Sequence, residues 1–207
     1  MQEKLFIVRP AEPQDDAAIA ELVVEGFLDK FQPIFGHQMD RSVKIMERWV
    51  HLEHSFGGVS SLVVEGSAPA GITGSIGVRI GGSDDAALTR GLWKALRQNL
   101  GYIRAFWAAT LLSYPRYAAT SYEAYVERLV VAREHRHQGR ARALLDAAES
   151  LAREYGKETV DLHVSSDNLP ALKLYEAYGY EESSRQRSLL TGYFLNIREW
   201  LYLKKEL

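Results

Sequence analysis

The sequence predicts an α/β (α+β) chain, about seven strands alternating with helices in a single domain, and three stretches carry that expectation. From Val126 to Leu145 an apolar run containing Leu129, Val130 and Val131 bends through the polar residues Arg133 to Gln138. It then enters a helix with apolar residues at Ala141, Leu144, Leu145, Ala148 and Leu151, which reads as strand, turn, helix. Ser61–Glu65 and Ile72–Ile80 read as a hairpin, the second arm alternating through Ile76, Val78 and Ile80, with Ala68-Pro69-Ala70-Gly71 as its turn. Thr159–Val164 reads as a further strand; Asn168 then caps a helix that tolerates Pro170 in its first turn and ends at Gly179.

The remaining elements follow in order. Leu5, Phe6, Ile7 and Val8 make a strand ended by Arg9-Pro10. Pro13 to Asp16 starts a helix with Ile19, Leu22, Val23 and Phe27 on its apolar face. A second helix is expected from about Arg41 to about His54, with Val43, Ile45, Met46 and Val50 inward. Gly81-Gly82-Ser83 breaks the hairpin pattern and opens a segment running to about Ser121, in which Leu92, Leu96, Leu100, Ile103 and Trp107 recur at helical spacing until Pro115. That stripe reads as core. The alternatives are a dimer contact, or a pocket wall made by Trp93, Phe106, Trp107 and Tyr114. The central helix is capped by Gly156, and two last strands are expected at about 180–190 and 194–203.

At 207 residues the chain is expected to be one domain, 1–207, carrying an insertion at about 83–121. A formal net charge of −2 gives no reason to expect a nucleic-acid partner, although Arg133, Arg136, Arg140 and Arg142 together suit a compact anion. There is no cysteine, which excludes disulfides, cysteine-ligated zinc and a cysteine nucleophile. The opening Met1-Gln-Glu-Lys lacks an apolar signal core, and Phe106–Leu112 is too short to span a bilayer. The expectation is a cytoplasmic protein with no membrane partner.

The turn after Val131 carries chemistry. Arg136, Gly139 and Ala141 stand at the spacing R-x-x-G-x-A, where the first amides of the following helix lack partners and the helix dipole favours an anion. Gly139 leaves room for a ligand, and Arg136 and Arg140 add positive charge. Read alone, the pattern is equally an ordinary strand-to-helix turn. It is neither a P-loop, since Gly-Lys-Ser/Thr is missing, nor a G-x-G-x-x-G dinucleotide fingerprint. His51-Leu-Glu-His54 does not have metal-protease spacing and reads as a solvated face.

Taken together, the order of elements, the run Leu129-Val130-Val131 before Arg136, Gly139 and Ala141, and the second pattern Asn168, Ala171, Leu174, Tyr175, Gly179 and Tyr180 resemble the GNAT superfamily of N-acetyltransferases. The opening Ile7-Val-Arg-Pro-Ala is also similar to the start of the family. His137-Gln138 departs from it, standing where many members carry glycine or a basic residue. The long segment before the central strand lies where members vary in substrate recognition.

The resemblance implies a mixed, mostly antiparallel central sheet with helices on both faces, and acetyl-CoA as co-substrate. It places acetyl-CoA against the backbone of Leu129, Val130 and Val131, the turn residues Arg136, His137, Gln138, Gly139, Arg140 and Ala141, and Asn168. Tyr175 falls at the position of the general acid, and Glu127 at the spacing where some relatives hold a general base; the alternatives are a core tyrosine and an ion pair with Arg128. The implied reaction is acetyl transfer to a primary amine on a small molecule or peptide by direct attack in a ternary complex. An alkylamine with a pKa of about 10.4 must lose a proton first. His163, within a strand, reads as a satisfied histidine. The rival function is a non-catalytic acyl-CoA sensor on the same fold. A homodimer through the apolar insertion and the last strands is the remaining expected partner.

Overall fold

In the computed structural model, residues 6–66, 71–82, 84–115, 117 and 120–207 are described. One seven-stranded sheet runs β1 (Ile7–Pro10), β2 (Val59–Glu65), β3 (Ile72–Arg79), β4 (Glu123–Val131), β5 (Thr159–Ser165), β7 (Glu199–Glu206), β6 (Glu181–Arg187). Every neighbouring pair is antiparallel except β4 with β5. The hairpin turn expected at 68–71 lies mostly outside the described residues, but its base closes through Gly66 N–H to the Gly71 carbonyl at 2.9 Å.

Eight α-helices cover the two faces among the described residues. On one side lie α1 (Asp16–Gly26), α2 (Leu28–Phe35), α3 (Met39–Phe56), α4 (Asp85–Leu100) and α5 (Tyr102–Leu112). On the other lie α6 (Arg140–Glu154) and α7 (Leu169–Ala177), while α8 (Leu189–Phe194) joins β6 to β7. Each face has its own apolar core. Ile19, Val50 and Leu96 are fully buried on the first, and Leu144, Leu145 and Ala148 on the second.

Central strand β4 serves both cores by changing its alternation. Val78 pairs with Val126 but Gly77 pairs with Arg128, so Glu127 is an extra, bulged residue. Before the bulge Ala124 and Val126 join the α6 core; after it Leu129 and Val131 do, while Val130 and Ala132 pack with α1 to α5. Arg128 consequently enters the first core, where its guanidinium meets the buried carboxylate of Glu53 at 2.5 Å and Ser61 at 2.9 Å. Gly26 lets α1 lie directly on this strand, since a Cβ there would meet the Val130 side chain at 2.3 Å.

Three expectations need correction. The stripe Leu92 to Trp107 is not one helix: Gly101, with φ 74°, separates α4 from α5 and resets the phase. Leu96 and Leu100 are buried, whereas Ile103 and Trp107 are exposed and Ala105, Ala108 and Leu111 face inward instead. Helix α2 was not expected, because Pro33 sits inside it; Phe31 and Phe35, one turn apart and both buried, hold it down. Ser188 to Phe194, expected as the end of one strand, a turn and the start of the next, caps and forms α8, with the Ser188 hydroxyl accepting from the Thr191 amide.

Candidate active site

The parallel pairing of β4 with β5 stops early. It runs from Glu123–Thr159 to Val126–Leu162, and beyond the bulge at Glu127 the two strands part. The backbone of Leu129 to Val131 therefore keeps one edge without a strand partner, facing a cavity of about 960 Å³. The cavity is floored by Gly26 and Phe27, where α1 turns into α2, and walled by α7.

The turn that ends this cavity leads directly into the N-terminus of α6. Arg133–His135 form a single 3₁₀ turn, His137 adopts φ 58°, and Gly139, at φ 86°, starts α6. The first helical bond is Ala143 N–H to the Gly139 carbonyl at 3.0 Å, so the amides of Arg140, Ala141 and Arg142 have no helical acceptor, and Gly139 provides no side-chain cap. These amides and the helix dipole attract an anion.

The arginines divide their roles. Arg136 and Arg142 are exposed at the mouth, Arg136 donating from Nε to the Val131 carbonyl at 3.1 Å. Arg140 is buried: its Nε reaches the Thr73 hydroxyl at 3.0 Å, its guanidinium lies over Phe6 at 5.2 Å, and it bonds the Gln138 amide oxygen. Arg140 thus contributes its backbone to the cradle while its side chain braces the turn against β3.

Beyond the gap a second, smaller cavity of about 130 Å³ opens between β4, β5, β7 and α2. Phe27, Leu129, Asn168, Ala171 and Tyr175 line both spaces. The Tyr175 ring packs edge-on against Tyr180 at 5.6 Å, and its hydroxyl makes no hydrogen bond among the described residues. Burial raises its pKa well above the ordinary phenol value, which keeps the proton on the oxygen.

The small cavity is lined by Lys30, Glu127, His163 and Trp200, among others. Glu127 is ion-paired with Arg79 at 2.6 Å, not with its neighbour Arg128, because the bulge turns Arg128 toward Glu53. His163 Nδ1 lies 2.9 Å from the Tyr125 hydroxyl, and its Nε2 is buried without a partner. Burial, then the charge of Lys30, lowers its pKa to about 4, so the ring is neutral.

A model of the acetyltransferase (GNAT) family matches residues 27–180, most of the chain and all of this site except Gly26 and Trp200. The chain belongs to the GNAT acetyltransferase family. Solved structures agree in fold. An acetyltransferase crystal structure superposes with a TM-score of 0.66 at 19% identity, covering 97% of this chain and 98% of the other. The ribosomal-protein-alanine N-acetyltransferase of Brucella melitensis gives 0.64 at 14%, covering 97% and 99%. Salmonella typhimurium yncA, solved with its cofactor acetyl-CoA, gives 0.60 at 16%, covering 98% and 94%. A sequence comparison with curated proteins found no match.

Within this GNAT frame most residues singled out in the sequence converge. Leu129, Val130, Val131, Arg136, His137, Gly139, Arg140, Ala141, Asn168 and Tyr175 all line the large cavity. Asn168 also caps α7, accepting from the Ala171 amide at 3.3 Å. Gln138 does not line it; the side chain turns back to the Glu134 carbonyl at 3.1 Å and to Arg140. Trp93, Phe106 and Trp107 line neither cavity and are exposed on α4 and α5, so they form no pocket wall. His51 and His54 both meet Asp16, at 3.3 and 2.9 Å, while Glu53 faces Arg128.

Sequence reading missed Gly26, Phe27, Lys30, Lys173 and Trp200. The first three sit where α1 gives way to α2, a junction hidden by Pro33. Phe27, Phe31 and Phe35 at successive turns are the signal that could have revealed it. No helix among the described residues is long and apolar enough to cross a membrane.

Proposed function

We propose that this GNAT member moves the acetyl group of acetyl-CoA to a primary amine by direct attack in a ternary complex, in the cytoplasm. The observation that carries the proposal is the meeting of two unequal cavities at Tyr175, where β4 and β5 part. A long space ending in unpaired helix amides suits a diphosphate-bearing carrier, and a small one on the far side suits an amine. Direct attack needs both substrates at one point, and the shared wall provides it. The acetyl-CoA found with yncA and the protein-amine activity named for the Brucella enzyme support the choice of donor and acceptor. With no cysteine, no thioester intermediate forms on the chain.

The residues divide the work as follows. Backbone amides on the free edge of β4 polarise the thioester carbonyl, a preorganised contribution independent of side-chain identity. The ammonium first gives one proton to a water oriented by Glu127, whose side chain is about a quarter exposed and anchored by Arg79, and the neutral amine then bonds to the acetyl carbon. The carbon–sulfur bond breaks, the CoA thiolate takes a proton from Tyr175, and the second proton of the amine, released as the amide forms, restores the phenol through water. A phenol with a raised pKa is a weaker acid than usual, so its contribution comes from placement in a site where burial also destabilises the thiolate.

Incubation with acetyl-CoA and a panel of amines, peptides and aminoglycosides tests the proposal. Release of CoA accelerated by at least one amine is the expected result. Tight acetyl-CoA binding without release for any of them would support the sensor reading instead.

A further inference from the structure

The acceptor-side cavity has an unusual charge arrangement. Lys30, from the first turn of α2, lies with its ammonium 4.6 Å from the ring centre of Trp200 and donates to the Tyr114 carbonyl at 3.3 Å. Trp200 is itself fixed, its indole N–H reaching the Thr191 hydroxyl at 3.2 Å. Among the described residues no carboxylate lies within ion-pair distance of Lys30. An ammonium has three donors, and a carbonyl takes only one.

The charges that face it from the sheet are already matched or neutral. On β4, Arg128 is held by Glu53 and Glu127 by Arg79; His163 on β5 is neutral, and Tyr125 is an uncharged phenol whose pKa burial raises. Asp29, the residue before it on α2, lines the same cavity but is exposed to solvent. Burial costs Lys30 enough to lower its pKa to about 8, with Asp29 and Glu127 acting weakly against the fall, so it is mostly charged at neutral pH. A half-buried cation without a counter-ion is unfavourable, and a ligand anion would relieve that cost.

We propose that Lys30 anchors a carboxylate on the acceptor, so that the substrate class is a small amine bearing a carboxylate, an amino acid in the broad sense. The proposal rests on the acetyltransferase reading above and deepens it. Positive Lys30 on the α2 side and the carboxylate of Glu127 on the β4 side form a dipole across one cavity, and a zwitterion fits it with its amine toward Glu127 and Tyr175. The volume suits the class: a cavity of about 150 Å³ accommodates a six-carbon ring, so 130 Å³ holds an acceptor's reacting end on the order of five or six non-hydrogen atoms.

The test compares α- and ω-amino acids of increasing length with their own primary amides, which keep the amine and remove the charge. The preferred amino acid is expected to exceed its amide in kcat/KM by at least about 30-fold. Lys30→Met should bring that ratio to within about threefold of unity, chiefly by raising KM for the acid far more than for the amide, and Lys30→Arg should restore part of it. Because the anion needs a protonated Lys30, KM for the acid should rise above about pH 8 while KM for the amide does not follow that limb. Equal use of acids and amides, or an undiminished ratio in Lys30→Met, overturns the anchor and leaves the transferase intact. If no amine releases CoA, the transferase reading fails. Lys30 is then read by NMR of its Nζ titration with the same compounds. An upward shift of at least one pKa unit with an amino acid and none with its amide supports the anchor, and no difference overturns it.

Discussion

Tyr175→Phe separates a catalytic hydroxyl from a structural one unusually cleanly. The ring lies against Tyr180 and within the α6 core, and phenylalanine keeps both contacts. The hydroxyl has no hydrogen-bond partner among the described residues, so removing it leaves no orphaned donor or acceptor behind. Deleting a hydroxyl on which no protein group depends is close to neutral, and the change in folding stability should stay within about 0.5 kcal/mol. Turnover should behave differently. A positioned general acid is worth about 10²- to 10⁴-fold, and because a thiolate can also be protonated by water the expected loss is at least about tenfold, or about 1.4 kcal/mol of barrier. Affinity for acetyl-CoA should be nearly unchanged. The assay is direct: with no cysteine in the chain, a thiol reagent reports released CoA without background from the protein. Equal turnover in the two proteins would remove Tyr175 from the mechanism, and a stability loss above about 1 kcal/mol would show that the hydroxyl is structural.

Glu53→Ala should cost about 3–5 kcal/mol in urea unfolding, since it strands a buried Arg128, whereas Glu53→Met with Arg128→Met should be near wild type; equal losses in both would contradict this account of the pair. Burial raising the Glu53 pKa against the pull of Arg128 is the reason the apolar pair is expected to be tolerated. His163 has a folded pKa near 4 against about 6.5 unfolded, so its stabilising contribution is complete above about pH 6.5 and is lost as pH falls toward 4. The thermal midpoint should therefore fall across that window, and His163→Phe should flatten the fall; parallel curves would refute it. His137→Gly relieves a left-handed residue and should stabilise by up to about 1 kcal/mol, checked by the same unfolding assay, a loss being the contrary result.

How much of this was legible follows from where local pattern decides structure. The strand-turn-helix around Gly139 and the strand-helix around Asn168 were readable because period, glycine and cap agree there, and tertiary packing only places them side by side. The mixed, mostly antiparallel character of the sheet came from the family resemblance, but the order of its strands did not, since β5 pairs with β7 and not β6 through contacts that no local pattern encodes. The bulge was invisible because alternation on both sides of Glu127 looks regular until its parity is compared across the strand. Its consequence, Arg128 toward Glu53 and Glu127 toward Arg79, depends on partners 75 and 48 residues away. Nothing in the local sequence singles out Lys30 beside Asp29. Only the fold of α2 under β7 brings Trp200 and the Tyr114 carbonyl to it, and the same packing takes Trp93 and Trp107 out of the pocket.

A crystal structure with acetyl-CoA bound tests the central claim most directly. The account predicts the diphosphate on the amides of Arg140, Ala141 and Arg142, the pantetheine along the free edge of Leu129 to Val131, and the sulfur within hydrogen-bond reach of the Tyr175 hydroxyl. A carrier seated elsewhere, or a sulfur on the far side of β4 from Tyr175, would contradict it.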